Sequence, residues 1–198
     1  IHHFGGTMAR FERGTETLLE ALYMHRDIEK NRSETEQEAF PRGDIQLAVE
    51  PIRLSAYMST RVTRPDQNVF VALRVVIDSE FHLPAFEGTG EALLPTTLRL
   101  IDETAFKLEK LEASPPEKRS VGGEPVIVHS DDLWVLATLK STAGIPEDRY
   151  TLHFEFQFQA CDDQRCLQTE KMSFKVPVAL EVGAPKGISR HKEIFDRF

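Results

Sequence analysis

Apolar and polar residues alternate with a period of two along most of the chain after Asp44. The clearest alternation runs from Tyr150 to Ala160, where every second residue is apolar and the intervening residues are polar. A second regular stripe runs from Met172 to Leu180. Because successive side chains of a β-strand point to opposite faces of a sheet, this period predicts half-buried strands.

Further short strands are predicted between Asp44 and the Tyr150 run. They are marked by the apolar residues of Ile45 to Val49, Val69 to Ile77, Leu98 to Leu100, Phe106 to Leu108, Val126 to Val128 and Leu133 to Leu139. The last run is nearly continuous, which is typical of a central strand. Turn-forming residues separate the runs, and no long helical pattern alternates with them. The pattern therefore favours an antiparallel β-sandwich, with Trp134 and the Phe154, Phe156 and Phe158 stripe in its core.

The two ends of the chain follow a different pattern. Thr17 and Glu20 have the spacing of a capping box, and leucines follow at helical spacing, so a helix is predicted from about Thr15 to Glu29. Residues 188–198 also carry apolar side chains at helical spacing and predict a short terminal helix. We therefore divide the chain into a helical appendage or tail of a preceding domain (1–43), a β-sandwich (44–183) and a helical tail (184–198).

Composition excludes several classes of partner. The chain has 24 Lys and Arg against 32 Asp and Glu, a formal net charge of -8, and no basic stripe offsets this balance. Nucleic acid is not an expected partner, because phosphate contacts need clustered cations. No apolar run approaches the roughly 18–20 residues that cross a bilayer. No signal peptide and no membrane segment are predicted within the sequence.

The two cysteines, Cys161 and Cys166, lie between the two most regular strand patterns. A four-residue loop between antiparallel strands places them opposite each other, with Cα atoms about 4.5–5.5 Å apart, which permits a disulfide. A bond across so short a loop restricts the unfolded chain little. The spacing fits a structural hairpin clip and a reversible redox pair equally well. Two cysteines without further ligands at suitable spacing predict no metal site.

Charged neighbours distinguish the two sulfur atoms. Asp162 and Asp163 disfavour a thiolate at Cys161, whereas Arg165 favours one at Cys166. If the pair is redox-active, we expect Cys166 to attack a partner and Cys161 to resolve the mixed disulfide.

The segment from Phe158 to Leu167, with the sequence FQACDDQRCL, resembles the cysteine segment of the N-terminal periplasmic domain of the thiol:disulfide interchange protein DsbD. This group is also described as the disulfide bond corrector domain family. Weaker features upstream agree with the resemblance. They are the aromatic–histidine pair Phe81-His82, a Gly- and Pro-rich stretch at 88–95 and a Pro- and Gly-containing segment at 114–124. The resemblance covers about residues 69–182.

The resemblance implies an immunoglobulin-like fold and a periplasmic or otherwise exported bacterial protein. It implies an electron shuttle that a thioredoxin-like or membrane donor reduces, that in turn reduces periplasmic oxidoreductases, and that needs no bound cofactor. Cys166 would form the mixed disulfides, and a cap loop within residues 114–124 would shield the pair. Two features depart from the family. The segment Leu167-Gln168-Thr169 follows Cys166, where the family usually has a proline soon after the second cysteine, and Val121 is the nearest candidate for the cap, where an aromatic residue is known.

Taken together, these expectations predict a thiol:disulfide oxidoreductase of the protein-disulfide reductase type. Phe81 and His82 are predicted as residues that could flank the cysteine pair. The alternative is a non-catalytic immunoglobulin-like binding module with a structural disulfide. A nucleophilic cysteine enzyme with His82, His129 or His153 as its base would leave the second cysteine unexplained.

Overall fold

A computed structural model describes residues 41–87, 93–121 and 123–198, with Val121 described by its backbone alone. The predicted helix from Thr15 to Glu29 lies outside these residues. The elements of the described part are β1 (Ile45–Val49), β2 (Ile52–Met58), β3 (Val62–Thr63), β4 (Asn68–Ile77), β5 (His82–Pro84), β6 (Thr97–Leu100), β7 (Phe106–Ala113), β8 (Glu117–Val121), β9 (Glu124–Ser130), β10 (Asp132–Ser141), β11 (Arg149–Phe158), β12 (Glu170–Leu180) and α1 (Lys192–Phe195).

Two sheets form the predicted sandwich. The first has the strand order β1-β2-β4-β10-β7 and the second has the order β3-β12-β11-β6. The apolar run of β10 lies inside the first sheet, which confirms the prediction of a central strand. Pairing is antiparallel except at β3, where Val62 and Thr63 run parallel to the end of β12. This parallel edge was not predicted, because a strand of two residues is too short to show a period.

The inward faces of the two sheets meet in an aliphatic and phenylalanine-rich core. In β4 the inward residues are Val69, Val71, Leu73, Val75 and Ile77, all buried. Phe154, Phe156 and Phe158 of β11 face them from the second sheet and are at most 1% exposed, so the predicted core stripe is confirmed. Phe154 stacks on Phe174 of β12 with 5.2 Å between the ring centroids. Each such side chain contributes about 1.5–3 kcal/mol through its burial.

Trp134 is buried, but outside this core. Its neighbours in β10, Leu133 and Val135, occupy the core face, so Trp134 lies on the outer face of the first sheet. Tyr57 stacks beside it at 6.1 Å, and the terminal Phe198 meets it edge-on at 6.5 Å. The end of the chain thus covers a second, smaller apolar cluster.

The tail is anchored by a buried carboxylate, Asp44. Its Oδ1 accepts hydrogen bonds from Arg190 at 2.6 Å and Arg61 at 3.2 Å, and its Oδ2 accepts one from the Met58 N–H at 3.0 Å. The His191 ring lies 3.1 Å from the same Oδ2. The predicted terminal helix is present as the single turn α1, whose Ile194 and Phe195 are buried.

A third sheet, of order β5-β9-β8, lies beyond the end of β4 and was not predicted. The chain leaves β4 at Ile77, whose N–H donates to the carbonyl of Asp131 in the β9–β10 turn at 2.7 Å. Its strand β5 also pairs with the cysteine segment, through His82 and Cys161. No helix in the described ranges is long and apolar enough to cross a membrane.

Candidate redox site

The two cysteines lie in a loop that the backbone closes by itself. We define residues 159–169, between β11 and β12, as the cysteine loop. The Leu167 N–H donates to the Ala160 carbonyl at 2.8 Å, and the Asp162 N–H donates to the Arg165 carbonyl at 2.9 Å. Asp162 Oδ1 then accepts the N–H groups of Gln164 and Arg165, both at 2.7 Å. An Asp that bonds the backbone two and three residues ahead is a common turn device.

A disulfide joins Cys161 to Cys166 across this loop. The two residues are antiparallel bridge partners, as their spacing predicted. Their sulfur atoms are 2.04 Å apart and their Cα atoms 3.9 Å apart. The predicted Cα distance of about 4.5–5.5 Å was too long. Non-hydrogen-bonded pairs are the closer type in antiparallel strands, with Cα atoms about 4.5 Å apart, and this pair is of that type but closer still.

The two linked residues differ in exposure. Cys161 is 0% exposed, whereas Cys166 is partly exposed. Cys161 is enclosed because it also pairs with β5 on its other side. Of the two linked residues, only Cys166 presents accessible surface.

His82 is the residue that pairs with Cys161 from β5. The His82 N–H donates to the Cys161 carbonyl at 2.9 Å, and the Cys161 N–H donates to the His82 carbonyl at 3.0 Å. Directly opposed residues present their side chains on the same face, so the imidazole is the cross-strand neighbour of the Cys161 sulfur. His82 in turn pairs with Ser130 of β9. Ser130, His82, Cys161 and Cys166 thus form one row, which we call the cysteine row.

The His82 ring is buried, and its two nitrogens stand out by their hydrogen bonding. The residue is 0% exposed, and neither Nδ1 nor Nε2 has a hydrogen-bond partner among the described residues. Burial lowers the pKa of His82, and the charge of Arg119 acts in the same direction. Asp163, Asp162 and Glu117 oppose these effects without outweighing them, so the neutral ring is favoured.

Of the charged loop residues, Asp162 has a clear structural place. The backbone hydrogen bonds from Gln164 and Arg165 lower the pKa of its carboxyl group. The Arg165 side chain is largely exposed, and its Nε lies 3.9 Å from Asp162 Oδ2. The effects predicted for Asp162, Asp163 and Arg165 on the two thiolates stay predictions. Sequence reasoning missed that Asp162 closes the loop, although an Asp at the start of a short polar turn is a signal for it.

The segment predicted to form a cap loop is largely a strand. Residues Glu117–Val121 pair with β9 as one arm of a hairpin, from Glu117 opposite Val128 to Val121 opposite Glu124. This strand carries mostly charged residues and hence has no apolar period to reveal it. Val121 lies at the hairpin tip, and its part in covering the disulfide stays a prediction. Phe81 packs against the main core next to His82.

The other two histidines considered from the sequence lie apart from the cysteine row. His129 precedes Ser130 in β9, so its side chain takes the opposite face, where its ring meets Phe86 at 6.2 Å. His153 lies between inward-facing residues of β11 and points to the outer face of the second sheet, as predicted.

No family model matches the sequence, and no curated protein matches it. Solved structures similar in fold include the N-terminal periplasmic domain of ScsB from Proteus mirabilis, at 11% identity and a TM-score of 0.49. That alignment covers 77% of this chain and 56% of the ScsB chain, so the chain spans little more than half of that protein's length.

The N-terminal domain of DsbD from Neisseria meningitidis, in its reduced form, is also similar, at 12% identity and a TM-score of 0.43 over 64% of this chain and 85% of that one. It is the kind of domain that the cysteine segment resembles. The GAE domain of GGA2p from Saccharomyces cerevisiae is also similar in fold, at 10% identity and a TM-score of 0.38, over 67% of this chain and 96% of that one. At such identities and scores the likeness concerns the fold alone.

Proposed function

We propose that this domain exchanges thiols and disulfides with partner proteins through a reversible Cys161–Cys166 disulfide, and that it passes electrons to them in the periplasm. The observation that carries the proposal is the unequal exposure of two linked cysteines. One residue is enclosed by a neighbouring strand, and the other is open to a partner.

The exchange follows from this arrangement. In the reduced domain the Cys166 thiolate attacks a partner disulfide, so that one partner sulfur leaves as a thiolate and a mixed disulfide forms. Cys161 then attacks the Cys166 sulfur, the bond to the partner breaks, and the second partner sulfur leaves. Two electrons pass to the partner, whose sulfurs take up two protons. A dithiol donor that attacks Cys166 reverses the sequence.

The hydrogen bonds of the cysteine loop support a reversible bond rather than a clip. Backbone contacts from Ala160 to Leu167 and the turn at Asp162 close the loop without the sulfurs. The Gln159 side chain adds a hydrogen bond to the Leu167 carbonyl at 3.1 Å. The disulfide can therefore open while the backbone of the loop keeps its conformation. A structural disulfide here would add little to the hydrogen bonds that already close the loop.

The partners proposed from the family resemblance are a thioredoxin-like or membrane electron donor and a periplasmic oxidoreductase as acceptor. The mechanism uses protein sulfurs alone, so no bound cofactor takes part in it.

Two matched variants test the proposal. Reduced Cys161→Ala retains the exposed thiol and is expected to accumulate a stable mixed disulfide with oxidised glutathione. Reduced Cys166→Ala retains the enclosed thiol and is expected to react at least tenfold more slowly. Mass spectrometry after acid quenching measures both adducts, and circular dichroism checks the fold. Equal reactivity, or faster reaction at Cys161, would overturn the assignment; a wild-type disulfide that no dithiol opens would favour the binding module.

A further inference from the structure

His82 is the imidazole of the cysteine row; it is buried and lies beside the enclosed residue Cys161. We propose that His82 accepts the proton of the Cys161 thiol when Cys161 resolves the mixed disulfide, and then returns it to the departing partner sulfur. This inference rests on the proposed exchange function and adds a proton-transfer residue to it.

The backbone fixes the two groups against each other. His82 and Cys161 exchange both of their backbone hydrogen bonds, at 2.9 and 3.0 Å, so neither residue can rotate its side chain to another face of the strand pair. Directly opposed residues project their side chains side by side from the same face, with Cβ atoms about 4.5–5.5 Å apart. The imidazole is therefore the cross-strand neighbour of the sulfur that must become a nucleophile.

The enclosure of Cys161 creates the need for an internal base. A thiol attacks only as its thiolate, and burial raises the pKa of a thiol. Cys161 is 0% exposed in the disulfide form, and we infer that its β5 neighbour still shields it from bulk water when the disulfide opens. Cys166, being partly exposed, can lose its proton to solvent and has no such need.

His82 is suited to accept that proton. Both ring nitrogens lack hydrogen-bond partners among the described residues, so the acceptor nitrogen of the neutral ring is not engaged elsewhere. Leaving two buried polar atoms without hydrogen-bond partners lowers the stability of the folded state. Such a cost at a side chain that an apolar residue could replace indicates a chemical use.

The charges around the ring come from two elements. The cysteine loop contributes Asp162 and Asp163, and β8 contributes Glu117 and Arg119. The neighbour from β9 in the row is the uncharged Ser130. Burial and Arg119 lower the pKa of His82 and keep the ring neutral before the step. The three carboxylates stabilise the imidazolium that exists during the step.

The step balances without a further reagent. The proton moves from the Cys161 sulfur to a His82 ring nitrogen, and the electron pair left on sulfur forms the bond to Cys166. The bond between Cys166 and the partner breaks, and the partner sulfur leaves as a thiolate. That thiolate takes the proton from the imidazolium, and His82 is neutral again.

The pH dependence of the resolving step tests the proposal. Reduced protein is mixed with oxidised glutathione, and acid quenching with mass spectrometry follows the lifetime of the Cys166–glutathione adduct between pH 5 and pH 10. General base catalysis contributes roughly 10²–10⁴-fold, so we expect His82→Asn to lengthen this lifetime about 100-fold at pH 7. The difference should shrink towards pH 10, where the Cys161 thiol ionises unaided.

His129→Asn is the matched control, because it makes the same change at a buried histidine on the opposite face of the neighbouring strand. It should keep the wild-type lifetime at each pH. If His82→Asn has the wild-type profile, or is slowed by the same factor at every pH, the inference is overturned while the exchange function stands. If wild-type protein forms no adduct, the proposed function itself fails.

If His82→Asn does not fold, a second measurement on the wild-type protein tests the inference instead. In wild-type protein, NMR titration of the His82 ring should give different pKa values in the disulfide and dithiol forms, because ring and thiol share a proton only in the latter. Equal values in both forms would overturn the inference.

Discussion

Each end of the sandwich holds a histidine, partly buried at His191 and fully buried at His82, and the two rings differ in their hydrogen bonding. At the tail end, His191 lies 3.1 Å from the Asp44 carboxylate, which Arg190, Arg61 and the Met58 N–H also contact. At the cysteine end, the His82 ring has no hydrogen-bond partner among the described residues. A satisfied polar cluster stabilises the fold, whereas an unsatisfied one opposes it. The difference fits a tail end that stabilises the fold, and it supports the proposal that the cysteine end carries the exchange chemistry.

The largest expected effect on stability belongs to the tail end. Asp44→Ala removes a buried carboxylate and leaves Arg190 and the Met58 N–H without their acceptor, so we expect a loss of about 3 kcal/mol in the free energy of unfolding. Urea denaturation measures it. Glutathione exchange by the folded variant should match the wild type.

Glu155→Ala is the control for this substitution. Glu155 forms a 3.0 Å ion pair with the exposed Lys171 on the outer face of the second sheet, and such pairs contribute at most about 1 kcal/mol. If Asp44→Ala lowered the free energy of unfolding no more than Glu155→Ala does, the cluster around Asp44 would not be a main source of stability.

Reduction of the disulfide should have the next largest effect. For a loop of this length the chain-entropy relation gives about 2 kcal/mol of lost stability. Urea denaturation of the wild type with and without dithiothreitol measures the loss, and the Cys161→Ala/Cys166→Ala double variant should reproduce it. Unfolding of the reduced protein in buffer alone would show that the bond is a structural clip.

A smaller effect of opposite sign is expected at His82. His82→Leu replaces two unsatisfied ring nitrogens by an apolar side chain of similar size, so the free energy of unfolding should rise by about 1 kcal/mol. The same variant should exchange more slowly with glutathione. A variant that loses stability would remove the contrast between the two ends, because it would show that the imidazole stabilises its surroundings.

The smallest effect is one of pH, in the range just below pH 4. Burial tends to raise the pKa of Asp44, but the Met58 N–H, Arg190, Arg61 and His191 together hold it below its usual value. As the pH falls, the Asp44 carboxylate therefore takes up a proton in the unfolded chain before it does so in the folded chain. The stabilisation is complete above the unfolded value of about 3.9 and is lost as the pH falls through the lower folded value. Denaturation at pH 5 and pH 3 should show a steeper acid loss for wild type than for Asp44→Asn; equal losses would contradict the assignment.

The sequence predicted those parts of the molecule that its own local pattern determines. The apolar periods of β4, β11 and β12 gave the sandwich, because a half-buried strand must alternate. The opposition of Cys161 and Cys166 followed from their separation, because both residues belong to one short loop. Neither result needed knowledge of distant contacts.

The remaining features depend on contacts between segments far apart in the chain. The pairing of His82 with Cys161 and the anchoring of residues 190 and 191 by Asp44 leave no mark in any local period. The strand β8 was predicted as a loop because its charged side chains carry no apolar signal, although its backbone pairs regularly with β9. Trp134 was predicted to lie in the core between the two sheets. Burial under the tail and burial in that core give the same sequence pattern, an apolar residue within an apolar run.

The most direct test of reversible exchange is an equilibrium titration of the wild-type disulfide in glutathione buffers, with alkylation and mass spectrometry to count free thiols. The Cys161–Cys166 pair should pass from disulfide to dithiol at a midpoint above about −300 mV, within reach of cellular thiol donors. A pair that stays oxidised at every potential down to that value would rule out reversible exchange and leave a β-sandwich with a structural disulfide.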